Sequence, residues 1–327
     1  MTESQLSSKK IREFKPGDRI IGFFIVRKKE LKTKKDQTPY ILLELGDQSG
    51  RISCTLWDNV KSFYDTINVG DMVKVKGTVI IYNDSQQISV EKIRKAKPED
   101  KITEKDFLRR GNIETEALKN RLKITMESVK NSSLKSLLQY FFNDSEWLAR
   151  FTEAPGGKLW HHAYIGGLME HTAAVAEICD SVARLYPAVD RDLLITGAIL
   201  HDIGKIDEYR LDQGFIDYSD EGRLWGHVSI GYQQVKAAIE KMENNRKEFP
   251  EELKKLLLHL ILSHQGKHEQ GAPVLPMTLE AMILYYADEL DSKANALLHI
   301  MERDNEPDRH WSKYVPLLER FIYMGNK

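Results

Sequence analysis

His201 and Asp202 stand side by side in ILHDIGKIDE, residues 199–208, where an apolar run gives way to a glycine and a lysine. Imidazole and carboxylate both suit first-row divalent ions. Four more such groups lie at the ends of apolar runs or within them: His171 in MEHTAAV, His227 in LWGHVSI, His264 in LILSHQG and Asp288 in MILYYADELD. A carboxylate among apolar residues is costly to bury unless a charge or a metal compensates it. A single histidine of this kind is ordinarily a satisfied core or surface residue, but so many on successive runs argue for one shared site. Helix bundles build metal sites in this way, from side chains on facing helices. The chemistry such a set could do is metal-assisted hydrolysis, in which metal charge offsets the charge developing on oxygen.

The elements that must position these groups are helical. From about residue 113 onward, apolar residues recur at helical spacing in ETEALKNRLKITMESV, GGLMEHTAAVAEICDSVARLY, EELKKLLLHLILSH and similar runs. Residues 18–93 read differently. RIIGFFIVRK, TPYILLEL, RISCTLWD, DMVKVKGTVIIY and QQISVEKI are short β-rich runs separated by turn signals such as GDQSG and NDS. Five strands in so short a span suit a small barrel of the OB type. Alternation puts Ile41, Leu43, Leu45, Ile52, Cys54, Leu56, Val73, Val75, Val79 and Ile81 inside. Tyr40, Arg51, Trp57, Lys74, Lys76 and Tyr82 are left outside. Exposed rings interleaved with cations are what a single-stranded nucleic acid needs, stacking for bases and charge for phosphates. The alternative is that these rings pack on a neighbouring domain.

Charge follows the same division. Residues 1–97 carry 19 Lys+Arg against 12 Asp+Glu, and the remainder 29 against 37, although the whole chain of 327 residues nets only -1. A basic module joined to an acidic one fits a polyanion binder joined to a metal holder. MTESQLSSKKIREFK has no apolar core and does not read as a secretory leader, and LLLHLIL is too short to span a bilayer. Two distant cysteines, Cys54 and Cys179, read as free buried thiols of a reducing compartment. A cytoplasmic location with no membrane association is the expectation.

His171, His201-Asp202 and Asp288, in that order and with the HD-x-G-K form, resemble the H…HD…D signature of the HD phosphohydrolase superfamily. Together with the barrel, and with WHHAYIGGLMEHT, SHQG and YYADELD, the chain from about 15 to 320 resembles the YhaM-type 3′-5′ exoribonucleases. The resemblance implies a multidomain α+β chain, an N-terminal five-stranded OB-type barrel followed by an all-α HD domain. The expected bounds are a tail at 1–14, the OB-fold at 15–97, a helical linker region at 98–154 and the HD domain at 155–327. It implies two divalent ions, one held by His171, His201, Asp202 and Asp288, the other by His227 and His264 with Asp202 as the bridge. Mn²⁺ is favoured over Co²⁺, Fe²⁺, Ni²⁺ or Zn²⁺. Asp202 and Lys205 would be catalytic, Lys205 as a mobile cation for a phosphate oxygen. Gly204 would let the chain leave the helix. His162 is read as contacting phosphate or carrying a proton, or else as packing; His161 beside it is unassigned, and Asp291 either orients a ligand or is solvated.

The implied activity is hydrolysis of single-stranded RNA from the 3′ end to nucleoside 5′-monophosphates, with single-stranded DNA and homo-oligomer formation left open. Two other readings compete. One is an HD phosphohydrolase of nucleotides or cyclic dinucleotides, against which stand the missing HD-x-x-E-D and GYP forms. The other is a nucleic-acid-binding protein with an inactive HD domain, against which stands the complete ligand set.

Overall fold

A computed structural model describes residues 9–57, 60–111, 113–245, 248–304 and 310–325. The chain divides into two compact units: residues 1–109 with 210–217, and residues 110–209 with 218–327.

In the first unit, strands β1 (Arg19–Thr33), β2 (Pro39–Gly46), β3 (Arg51–Leu56), β4 (Met72–Tyr82) and β5 (Ser85–Lys95) close into a barrel in the order β1-β2-β3-β5-β4. A short helix, α1 (Val60–Thr66), joins β3 to β4. The long β1 serves two neighbours: Arg19 to Ile25 pairs with β4, and Ile25 to Thr33 with β2, across a register shift between Val26 and Lys28. Closure comes from the parallel pairing of Ser53–Thr55 with Gln87–Ser89. The alternation expected from sequence holds through Ile41, Leu43, Leu45, Ile52, Cys54, Leu56, Val73, Val75 and Val79, all buried in one core.

Two expectations need correction. Ile81 is 52% exposed. The pairing of β1 with β4 ends at Thr78 and that of β3 with β5 at Gln87, the partner of Ile80, so Ile81 and Tyr82 run on as a two-stranded hairpin past the barrel wall, with no interior to point into. The segment before residue 15 is also more than a tail, because Ile11 and Phe14 are buried in the barrel core.

In the second unit, the order is α2 (Thr115–Glu127), α3 (Ser132–Phe142), α4 (Ser145–Glu153), α5 (Gly167–Ala183), α6 (Arg191–Leu200) and α7 (Lys205–Glu208). A minimal strand pair, β6 (Tyr209–Arg210) and β7 (Asp217–Tyr218), precedes α8 (Asp220–Asn244), α9 (Glu251–Ser263) and α10 (Leu279–Arg303). Side chains cap several helices where the first amides lack partners: Asn131 for α3, Asp144 for α4, Asp190 for α6, Ser219 for α8 and Thr278 for α10. Every residue of α6 from Leu193 to Leu200 is buried, so α6 is the central helix, apolar all round. The stretch expected as a linker is shared: residues 98–109 belong to the first unit, while Leu118, Leu122, Leu134, Leu137, Leu138 and Phe151 lie in the same core as α5 and α6.

Candidate metal centre and nucleic-acid surface

Helix α6 delivers His201 and Asp202 at its C-terminal end. Around them converge His171 from α5, His227 from α8, His264 just past α9 and Asp288 from α10. Asp202 is the centre of the arrangement. Its Oδ2 lies 3.4 Å from Nε2 of His171 and 3.4 Å from Nε2 of His201. Its Oδ1 lies 3.4 Å from Nε2 of His227 and 3.5 Å from Nε2 of His264. Asp288 Oδ1 sits 3.2 Å from Nε2 of His171. Ligand atoms held at roughly 2.0–2.2 Å from one ion stand about 3 Å or a little more from each other. Five of the six predicted ligands therefore form two groups that share one carboxylate, and Asp288 approaches the first of them at His171.

Two observations test whether cations fit. Both oxygens of Asp202 are buried, and neither has a hydrogen-bond partner among the described residues. The Lys205 ammonium faces Oδ2 at 2.5 Å, whereas Oδ1 faces the imidazoles of His227 and His264, and a buried carboxylate oxygen is costly to leave so unless a further cation answers it. The Nε2 atoms of His171 and His201 are also 3.2 Å apart. The Nδ1 of His201 donates to the Ala198 carbonyl at 2.8 Å, which leaves its Nε2 lone pair facing its neighbour. A bound cation resolves both, and the groups His171–His201–Asp202 and Asp202–His227–His264 each fit one.

Each ring is oriented by what its Nδ1 does. His171 Nδ1 donates to Asp291 at 2.7 Å, His264 Nδ1 donates to the Ile261 carbonyl at 2.7 Å, and His227 Nδ1 faces Glu208 Oε1 at 3.1 Å. This fixes the tautomer and aims every Nε2 inward. Burial disfavours charge on His171, but Asp202, Asp288 and Asp291 outweigh it and hold its pKa well above the usual imidazole value. Burial likewise penalises the Asp202 carboxylate, but Lys205 and His201 hold it well below the ordinary range.

Lys205 is placed at the centre, but not as a mobile cation. It is buried, its Nζ lies 2.5 Å from Asp202 Oδ2, and it donates to the Gly156 carbonyl at 2.7 Å. Gly204 is needed for a different reason than the sequence suggested. Its backbone is ordinary right-handed helix (φ -61°, ψ -19°), but an added Cβ would stand 2.0 Å from the His227 carbonyl oxygen. The glycine allows the turn after His201-Asp202 to press against α8 at a ligand.

His162 does not reach the centre. Its Nε2 donates to Asp291 at 2.8 Å, its Nδ1 pairs with the Tyr164 hydroxyl at 2.9 Å, and its backbone N–H donates to Asn295 at 2.9 Å. Both ring nitrogens are committed, so it acts through Asp291 on His171. The neighbour, His161, packs its ring 5.7 Å from that of His171, and its buried Nδ1 has no partner among the described residues. Burial, with Lys205 adding to it, pushes its pKa down to about 3.

In the first unit, the six residues expected to bind nucleic acid are spread over β2, β3, β4 and the segment after β3. Tyr40 and Trp57 pair with ring centroids 5.0 Å apart, Trp57 is 51% exposed, and Lys34 places its Nζ 4.2 Å over the Trp57 ring. Arg51, on neighbouring β3, pairs with Glu44 at 3.4 Å. Lys74 and Lys76 lie on β4, which β5 and β1 separate from β3 and β2. Lys74 caps the Phe23 ring at 5.3 Å and Lys76 faces Glu91 at 3.6 Å. Tyr82 stands at the exposed tip of the β4–β5 hairpin.

The HD domain family matches residues 168–293, a span that contains all six candidate ligands. The OB-fold nucleic acid binding domain family matches residues 25–96. The 3′-5′ exoribonuclease YhaM of Bacillus subtilis is 31% identical over 307 residues, covering 94% of this chain and 95% of its own. That of Bacillus velezensis is 31% identical over 309 residues, with the same coverage. The chain belongs to the YhaM 3′-5′ exoribonuclease family.

Within that YhaM-family frame, sequence reading passed over two residues at the centre, Glu208 and Gln265, and one on the barrel, Lys34. Glu208 is the last letter of ILHDIGKIDE, and it also accepts the His227 backbone N–H at 3.1 Å. Gln265 follows His264, and its Nε2 lies 3.0 Å from His264 Nε2 and 3.3 Å from His227 Nε2. Lys34 precedes β2. The signal for Glu208 was available: an acid one turn after Lys205 on a short helix faces the same way.

Proposed function

We propose that this chain is a metal-dependent 3′-5′ exoribonuclease that hydrolyses single-stranded RNA to nucleoside 5′-monophosphates. The observation that carries this reading is the buried carboxylate of Asp202, shared between two histidine pairs. The family supplies the polarity and the RNA substrate. Bound divalent ions, Mn²⁺ in this proposal, supply Lewis-acid charge at a phosphate and lower the pKa of water. His171, His201, Asp202 and Asp288 would hold one, and Asp202, His227 and His264 the other. Asp291 and Glu208 keep the imidazoles in register, and Lys205 keeps Asp202 ionised. Tyr40, Trp57 and Lys34 would stack on bases and follow the backbone, a sequence-tolerant mode of binding.

Among the described residues no helix is long and apolar enough to cross a membrane. Cys54 and Cys179 are free and buried, which suits a reducing compartment, and the proposal places the chain in the cytoplasm. The test is a single-stranded RNA labelled at its 5′ end, incubated with and without Mn²⁺, beside the same sequence as DNA. A ladder shortening from the 3′ end with release of 5′-monophosphates is expected. Release of dinucleotides, cleavage only of free nucleotides, or no Mn²⁺ dependence would reject the reading.

A further inference from the structure

The ligands of the centre are unequally covered. His171, His201 and His264 are fully buried, whereas the side chains of His227 and Asp288 are 18% and 12% exposed, so the centre opens on the side of these two, most at His227. Gly226, immediately before it, takes φ 69° and ψ 155° and kinks α8, so the residues ahead of the kink follow their own direction. Those residues are Leu224 and Trp225, both strongly exposed; Trp225 shows 56% of its surface. One residue further back, Arg223 places its guanidinium 5.5 Å from the centroid of the Tyr218 ring, and Lys158 places its Nζ 4.9 Å from the same centroid. Lys158 is tied to the centre as well, since the carbonyl two residues earlier, at Gly156, accepts from Lys205, which faces Asp202.

We propose that Trp225, Leu224 and the Lys158–Tyr218–Arg223 cluster form a subsite for the 3′-terminal nucleotides of the strand, with Trp225 stacking on a base and the two cations facing its phosphates. The subsite rests on the exoribonuclease reading and deepens it: it names which part of the substrate the helical unit recognises. A large exposed indole is poorly placed for solubility but well placed for stacking, and every base offers a π-face. Two cations beside one ring, on segments that the chain links to the centre through Gly156 and through His227, suit a nucleotide, which offers a base to rings and phosphates to charge. The subsite therefore reads the presence of a base, not its identity.

The experiment uses the full chain and two single-stranded RNAs, one ending in adenosine and one ending in abasic residues, with rates of 3′-end shortening measured in Mn²⁺. In the wild-type protein the adenosine-ended strand should have the higher kcat/KM by about tenfold or more, from the stacking of one base on one ring. Trp225→Ala should bring that ratio close to one, mainly through KM, and Trp225→Phe should restore most of it. An unchanged ratio in Trp225→Ala, or no preference in the wild type, overturns the subsite while leaving the exoribonuclease reading in place. A Trp225→Ala protein that sediments at a new size but keeps the preference also overturns it, and would assign the indole to contacts between copies. A wild-type protein that shortens neither strand rejects the exoribonuclease reading itself.

Discussion

Asp291 Oδ2 lies 2.7 Å from Nδ1 of His171, on the side of the ring opposite the centre. One turn earlier on the same helix, Asp288 reaches Nε2 of that ring at 3.2 Å. One histidine is thus held by two acids of α10, one fixing its tautomer and the other facing the same space as its lone pair. His162 donates to Asp291 as well, which holds the carboxylate in place. Burial alone would raise the Asp291 pKa, but the two imidazoles hold it well below the ordinary range.

Asp291→Ala should therefore loosen metal binding without removing a ligand. A rise of roughly 10–100-fold in the Mn²⁺ dissociation constant is expected, the usual cost of losing such a partner. Asp291→Asn, which can still accept from Nδ1, should be milder. Equilibrium dialysis against Mn²⁺ decides it, and affinities equal to wild type in both variants would count against the orienting role.

Asp202→Ala should abolish hydrolysis and also destabilise the fold. Lys205 is buried against Asp202, and removing one partner of a buried pair costs about 3–5 kcal/mol. Adding Lys205→Met should recover part of that stability but none of the activity. Denaturant titration of the single and double variants makes the comparison. A single variant as stable as wild type would mean that Lys205 does not depend on Asp202.

His227→Ala or His264→Ala should lower bound metal from about two ions per chain to about one, following the shared-carboxylate arrangement. Metal content after gel filtration is the readout, and two ions retained in both variants would remove these histidines from the ligand set.

For the barrel, substitution at the Tyr40–Trp57 pair is a cleaner test than deletion. A cut after residue 97 would split the first unit, because Phe107 and Phe215 pack with Ile25. Trp57→Ala should weaken single-strand binding by about tenfold or more in an Asp202-substituted background, given roughly 1–3 kcal/mol per stacked base. Lys34→Gln should flatten the dependence of affinity on salt by about one phosphate contact. Lys74→Gln, on a different part of the barrel, should change neither as much. Equal effects at all three positions would favour a diffuse electrostatic surface.

Arg94 and Asp100 form a two-pronged pair, at 2.8 Å and 2.9 Å. The Arg94 hydrogen bonds, helped by the Lys97 amide, hold the Asp100 pKa well below its ordinary value. Because the folded-state pKa is lower than the unfolded one, near 3.9, the pair's contribution is present above about pH 4 and lost as pH falls below it. Asp100→Asn should lower Tm at pH 7, with the difference from wild type beginning to narrow below about pH 4 and closing only as pH approaches the depressed folded-state pKa. A gap that is as wide at about pH 2 as at pH 7 would mean the pair is not the cause.

The sequence by itself determined what depends on neighbours in the chain. Period-two alternation marked the barrel interior from Ile41 to Val79, because a strand's side chains alternate whatever it pairs with. The adjacent His201-Asp202, the helical runs around it and the order of the other candidate ligands were enough to lead one to expect a metal centre by resemblance. Tertiary structure decided everything that depends on which distant atoms meet. Asp291 orients His171 across 120 residues, and His162 was drawn away from the centre by Asp291, Tyr164 and Asn295. Gly204 proved to be a matter of contact with α8, not of turn geometry. Ile81 kept its strand alternation but lost its interior, since β1 stops pairing at Thr78. The surface cations of the barrel were legible as outward-facing, but whether they share a face depends on strand order, which local periodicity does not carry. Short-range pattern sets the direction of a side chain relative to its own element; only the packing of elements sets what lies in that direction.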